Sequence, residues 1–222
     1  MRRHLLWIVI FFLSSCQTLP IINAPSSPRK EKSFVCPDPF LKRTYRLVHA
    51  IEARLDGRVQ SQIIGITLAL PDTRSVSCAI ITVEGMSLFE AEADPHGINV
   101  KRALPPFDSE DFANNMMEDI KLIFLAPEGV LQNRGHLADG SKVCRYRQEN
   151  GGWIDVIENE SGETQIKRYS SSEVLKRDVR FSGTHKQLYQ RIGLQADAKF
   201  DYFLLMNLIE DQPIKKQAIK RN

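Results

Sequence analysis

The chain has 222 residues, 42% of them hydrophobic, with 30 Lys and Arg against 27 Asp and Glu and a formal net charge of +3. Two of the cations, Arg2 and Arg3, precede an apolar run; without them 28 basic residues face 27 acidic ones, so nothing electrostatic argues for a nucleic-acid partner. The length is enough for one domain with a full core.

Leu5 to Leu13 is a run of nine apolar residues. As a helix it rises about 13 Å, against a bilayer core of roughly 30 Å, so it is too short to span. With cations ahead and small residues behind, it has the build of an export signal. Leu13-Ser14-Ser15-Cys16 resembles the lipobox of bacterial lipoproteins, whose cysteine receives a diacylglyceryl group before cleavage. The resemblance implies a signal peptide over 1–15, lipidation of Cys16, and a membrane partner held through the anchor, because two or three acyl chains bind durably where one does not. Gln17 stands where Asp favours inner-membrane retention in enterobacterial lipoproteins, which implies the outer membrane, with the body facing the periplasm. The stretch "TLPIINAPSSPRKEK" has no hydrophobic period and reads as flexible. Residues 16–40 are therefore expected to be a lipidated N-terminus and tether, 41–212 one domain, and 213–222 a basic tail.

From Tyr45, apolar residues alternate through Leu47, Ile51, Ala53 and Leu55, interrupted by His49, and end at Asp56-Gly57, a hairpin turn signal. Ile64, Ile66, Leu68 and Leu70 alternate in the next strand. Val76 to Val83 gives a third strand, Glu84-Gly85 a turn, and "MSLFEAEAD" a fourth, with Phe89, Ala91 and Ala93 on one face and Glu90 and Glu92 on the other. Those two carboxylates read as a solvated sheet surface rather than an acid/base pair. After Asp94–Gly97 comes a short strand, 98–102. The spacing then lengthens to three and four: Asp108 is placed to cap a helix, with Asp111 at its third position. Phe112, Met116, Ile120, Ile123 and Phe124 form one stripe, and Pro127 forces a stop near Ala126. Beyond the helix, "SKVCRYRQ", "WIDVIEN", "TQIKRY", "KRDVRF", "QLYQRI" and "FDYFLLMNLI" read as short strands parted by turns such as Asn150-Gly151-Gly152 and Ser161-Gly162.

With Cys16 lipidated, Cys36, Cys78 and Cys144 remain, so one disulfide at most can form. Cys36 lies at the end of the tether, where a bridge to the body is most useful. Its partner is Cys78 or Cys144; Cys144 is preferred because Cys78 sits in the apolar run "VSCAIITV", where a cysteine packs as a small hydrophobe. There is no G-x-S-x-G elbow, H-E-x-x-H, Walker loop or dinucleotide glycine pattern. His49, His96, His136 and His185 are scattered, with no ligand spacing between them. The expectation is a monomeric protein that is not an enzyme, with no catalytic residues, no metal and no cofactor.

The segment "EGMSLFEAEADPHGINV", followed by "DSEDFANNMMEDIKLIFLAPEGV", resembles the LolA/LolB superfamily of lipoprotein carriers in its glycine turn, two-strand hairpin and lid helix, within a likeness that covers roughly Tyr45 to Gln132. The resemblance implies a mainly β (α+β) fold: a strongly curved antiparallel half-barrel sheet with a lid helix near 109–125 over an apolar cavity. It implies an acyl chain or a lipidated client as ligand, with Ile64, Ile66, Leu68, Phe89, Phe112, Met116, Ile120 and Phe124 as candidate lining. Where LolB projects a bulky leucine for membrane insertion, this chain has Glu84-Gly85, and Met86 is the nearby apolar residue. The alternative is an envelope-assembly accessory of the same fold that docks a protein partner and has no lipid ligand.

Overall fold

The computed structural model describes residues 18–24, 34–55, 58–185, 188–197 and 202–215. The apolar run Leu5–Leu13, Cys16, the Asp56-Gly57 turn and the last residues of the tail lie outside the described residues. Among those described, twelve strands form one antiparallel sheet: β1 (Tyr45–Leu55), β2 (Arg58–Leu70), β3 (Ser75–Ile81), β4 (Ser87–Asp94), β5 (Gly97–Ala103), β6 (Val130–His136), β7 (Lys142–Arg147), β8 (Trp153–Glu158), β9 (Thr164–Tyr169), β10 (Leu175–His185), β11 (Leu188–Ala196) and β12 (Tyr202–Pro213). Their order in space is β5-β4-β3-β2-β1-β12-β11-β10-β9-β8-β7-β6. Each hairpin adds the next strand beside the last, and the pairing of β1 with β12 joins the first five strands to the last seven.

The sheet does not close. Its free edges are β5 and β6, and the chain between them is the α-helix α1 (Glu110–Phe124). The connection from one edge to the other has to cross the concave face, which places α1 inside the curve. Register shifts at Val48/His49, Ala53/Arg54, Ile80/Ile81 and Glu90/Ala91 tighten that curve, as an extra residue in one strand does. The architecture is an unclosed antiparallel half-barrel with a lid helix.

The ends of α1 follow from local chemistry. Ser109, not Asp108, is the N-cap: its hydroxyl accepts from the Phe112 N–H at 3.2 Å, while Glu110 and Asp111 place negative charge against the helix N-terminus. Leu125 leaves the helical region and its N–H closes on the Lys121 carbonyl, two residues before Pro127.

The period of β2 is two, but the faces are the reverse of those expected. Ile63, Gly65, Thr67 and Ala69 point into the core; Ile64, Ile66 and Leu68 stand half-buried on the outer face. The inward residues are small because space is short there: a Cβ on Gly65 would meet the Ile51 side chain at 2.5 Å. One strand, β6, has no counterpart in the sequence reading. It is an edge strand with mostly exposed, polar side chains, so it carries no alternation to detect, and His136 lies at its end.

Residues 18–24, within the stretch expected to be a tether, make contacts with the sheet. Thr18 bridges to Val174, and Asn23 exchanges both backbone hydrogen bonds with His136 at 2.9 Å. Between them, Arg145 Nη2 donates to the Pro20 carbonyl at 2.9 Å. Ile154 and Val156 of β8 face the core, so their alternates Asp155 and Ile157 face outward, as do Val143 and Arg145 opposite them on β7. All four are nonetheless buried, because residues 18–24 run across that outer face. Gly135 is required beneath the strap: a Cβ there would sit 2.0 Å from the Asn23 carbonyl oxygen. Under it Arg145 donates to both carboxylate oxygens of Asp155 at 2.7 Å. Burial pushes the Asp155 carboxyl up, opposed by the guanidinium beside it.

Past the strap the chain returns on the concave side, where Cys36 is bonded to Cys144 across a Cα separation of 5.7 Å and a sequence separation of 108. Cys78 is free and buried, and burial pushes its thiol up to about 12. Closing a loop of this length restricts the unfolded chain, so replacing Cys36 and Cys144 with serine is expected to lower stability by about 2–5 kcal/mol. The urea midpoint should fall accordingly; an unchanged midpoint would contradict the role assigned to the bridge.

Candidate functional site

Two faces of α1 meet two halves of the sheet. Ala113, Met117 and Ile120 pack within the core cluster that also holds Ile80 and Ala91, and Phe112 meets Phe89 edge-on at 5.6 Å. The opposite face is polar and pairs with the far half. Arg177 of β10 donates through Nε to Asp119 Oδ1 at 2.7 Å and through Nη2 to Asn115 Oδ1 at 2.9 Å. The Tyr202 hydroxyl of β12 donates to the other Asp119 oxygen, and the Arg177 guanidinium lies 5.7 Å from the Tyr202 ring centre. Asp119 and Arg177 are each 3% exposed. Burial pushes the Asp119 carboxyl up, while Arg177 and Tyr202 pull it back towards the ionised form. Nearer the surface, Arg168 of β9 donates to Glu118 at 2.7 Å.

The structure separates the eight candidate lining residues. Phe89, Ile120 and Phe124 are buried in the core, Phe112 and Met116 are partly buried against it, and Ile64, Ile66 and Leu68 lie on the other side of the sheet. Between α1 and the first half of the sheet the trough is filled, with Met117 and Phe89 both fully buried. Near the helix C-terminus lies a void of about 20 Å³ bordered by Leu47, His49, Phe124, Phe181 and Ile192, about large enough for one water molecule. His49 is 1% exposed and its Nδ1 has no partner among the described residues. Burial lowers its pKa from 6.5 to about 4.

A larger opening lies on the other flank of α1. The C-terminal half of the helix and the ends of β7, β8 and β9 border an open cleft of about 480 Å³. Small-molecule sites occupy roughly 300–1,000 Å³, so the size is adequate for a ligand. Leu122, Leu125, Pro127 and Ile154 give it an apolar floor. Arg74, Lys121, Arg168 and Lys176 stand around it with Glu118 and Glu128, and Lys176 is paired with Asp197 at 3.2 Å, which leaves an excess of one cation. Arg74 is paired with Glu128 and Lys121 donates to the Asp94 carbonyl, so the cations are held in place rather than loose. Such a surface suits an amphiphile, with hydrocarbon against the floor and an anionic group at the rim.

Sequence reasoning missed this cleft because its walls come from the β2–β3 turn, the helix end and the β7–β8 and β9–β10 connections, which no local period relates. Its one sequence trace is the pair Glu118 and Lys121, which the apolar stripe of α1 leaves on another face. The histidines are not brought together: His96 lies in the β4–β5 turn, His136 stands edge-on to Phe34 at 5.5 Å, and His49 is in the core. Among the described residues no three His, Cys, Asp or Glu side chains are grouped to hold a metal.

Comparison with solved structures finds a LolA superfamily protein from Nitrosomonas europaea, with a TM-score of 0.53 and 11% sequence identity over 80% of this chain and 89% of that one. At that identity the likeness is one of fold. No protein-family model and no curated protein matches the sequence.

The buried His49 makes stability depend on pH. Below 6.5 the unfolded chain takes up a proton that the folded imidazole refuses until about pH 4. Stability contributed by neutral His49 is therefore complete above 6.5 and lost as pH falls through that window, at up to about 1.4 kcal/mol per pH unit. Between pH 7 and pH 5 the protein should lose about 2 kcal/mol more than a His49→Phe variant, measured by urea unfolding. Equal losses in the two proteins would contradict the assignment.

Proposed function

We propose that the protein is a lipoprotein of the bacterial outer membrane, anchored through Cys16 and facing the periplasm, that holds a lipid or lipidated client without catalysing a reaction. The lipobox-like Leu13-Ser14-Ser15-Cys16 supports the anchor. The observation that carries the binding role is the 480 Å³ cleft, with its apolar floor and cationic rim, beside the lid helix of a half-barrel that never closes. The ligand then sits on the flank of α1 towards β7–β9, since the flank towards β3–β5 is occupied by the protein's own side chains.

Affinity for such a ligand needs little specific chemistry. Each methylene buried contributes about 0.8 kcal/mol, and each cation near an anionic group about 1 kcal/mol. The filled trough favours a second reading, in which the same fold docks a protein partner during envelope assembly and carries no lipid.

The two separate in one series of measurements. Signal-less protein is purified, extracted with organic solvent for mass spectrometry, and titrated with a fluorescent anionic fatty acid. An acyl species should co-purify, and Lys121→Gln with Arg168→Gln should weaken binding roughly thirtyfold, the loss of about 2 kcal/mol. No co-purifying species and no titratable binding, together with one protein adduct after crosslinking in intact cells, would reject the lipid reading in favour of the docking one.

A further inference from the structure

The strap fixes where the anchor emerges. Cys16 precedes Thr18 by two residues, and Thr18 is already paired with Val174. Two residues of extended chain reach about 7 Å, so the attachment point can be no farther than about 7 Å from Thr18, or about 12 Å from Val174 in the turn between β9 and β10. A flexible lead of about 25 residues would instead leave a root-mean-square separation of about 27 Å and no preferred orientation.

That end of the sheet carries exposed aliphatic side chains and a cation close to Thr18. Val130, Arg147, Trp153, Tyr169 and Leu175 follow one another in a single cross-strand row from β6 to β10. Val130 is 67% exposed and Val174, beside the row, 37%. The Arg147 guanidinium lies 4.2 Å from the centre of the Trp153 ring. Within the row Tyr169 is 3% exposed and the Trp153 Nε1 is buried, so what this end offers a headgroup layer is the exposed Val130 and Val174 with the part-exposed Arg147 guanidinium. The same end forms a wall of the cleft, through Asn150, Gly152, Ser170 and Ser171.

The geometry points to this end of the sheet, the Ser170–Val174 turn with Val130 and Arg147, as the surface that rests on the bilayer holding the protein's own anchor, with the cleft mouth at the headgroup layer. The inference rests on the acylation of Cys16 proposed above. Its consequence is that an amphiphile passes between bilayer and cleft without crossing open water.

The test uses the full chain, exported and acylated in a bacterial host and reconstituted into phosphatidylethanolamine–phosphatidylglycerol vesicles carrying a headgroup nitroxide quencher. Single cysteines are labelled with a fluorophore at Ser172→Cys, in the turn, and at Ser161→Cys, in the β8–β9 turn at the other end of β9. Cys36 and Cys144 are bonded and Cys78 is buried, so the introduced thiol takes the label. The two sites differ by about 20 Å along the strand, so quenching at Ser172→Cys should exceed that at Ser161→Cys by about threefold or more. Inserting about twelve Gly and Ser residues after Gln17 should abolish the difference. Equal quenching in an acylated protein, or a difference that survives the insertion, overturns the orientation. An N-terminal peptide whose mass shows no acyl group overturns the anchor itself and with it this inference, and mass spectrometry tells the two failures apart.

Discussion

The contact between Asp119, Arg177 and Tyr202 decides what kind of half-barrel this is. Because α1 is the link from edge β5 to edge β6, covalent connectivity alone requires only that it cross the open mouth. Its apolar face, through Met117 and Ile120, would pack on the nearer half of the sheet wherever it crossed. The buried carboxylate draws it against β10 and β12, so that both halves curve around one rod. A buried ion pair gives little net stability against an apolar replacement, but removing one partner leaves a charge stranded and costs about 3–5 kcal/mol. Its contribution is therefore one of position. With α1 held at that depth, the trough on one flank is full and a cleft remains on the other.

A second buried pair, Arg145 with Asp155, lies on the opposite face of the same sheet and acts in a parallel way. Arg145 also holds the Pro20 carbonyl, so the pair that stiffens β7 against β8 also secures the strap. Strap, turn and cleft wall thus belong to one rigid corner. An anchor at Cys16, as proposed, would take its direction from that corner, which the near-neutral charge does not supply.

The hairpin ladder was legible because each of its signals is local: alternation in β1 to β4, the Asp94–Gly97 turn, the change of period at α1, and the proline after it. The face of β2 was not, since "IIGITLAL" is apolar at both parities and the choice depends on how close Ile51 comes to Gly65. Residues 18–24 look like linker by composition, and what orders them is the distant His136, Arg145 and Val174. β6 is an edge strand without alternation. The Ser109 cap and the Asp108 alternative differ by one position, which composition cannot resolve. The cleft needs residues separated by up to about a hundred positions, whereas the Cys36–Cys144 bridge, equally distant, could be favoured because only three cysteines compete.

Amide hydrogen exchange over residues 113–124 tests most directly whether the Asp119 contact holds the helix inside the sheet. In the native protein these amides should exchange no faster than those of β11 and β12, through global unfolding. In Asp119→Ala they should exchange about 100-fold faster than the strands, the local opening that corresponds to about 3 kcal/mol. Helix amides that already exchange rapidly in the native protein, or that keep pace with the strands in the variant, would contradict the account.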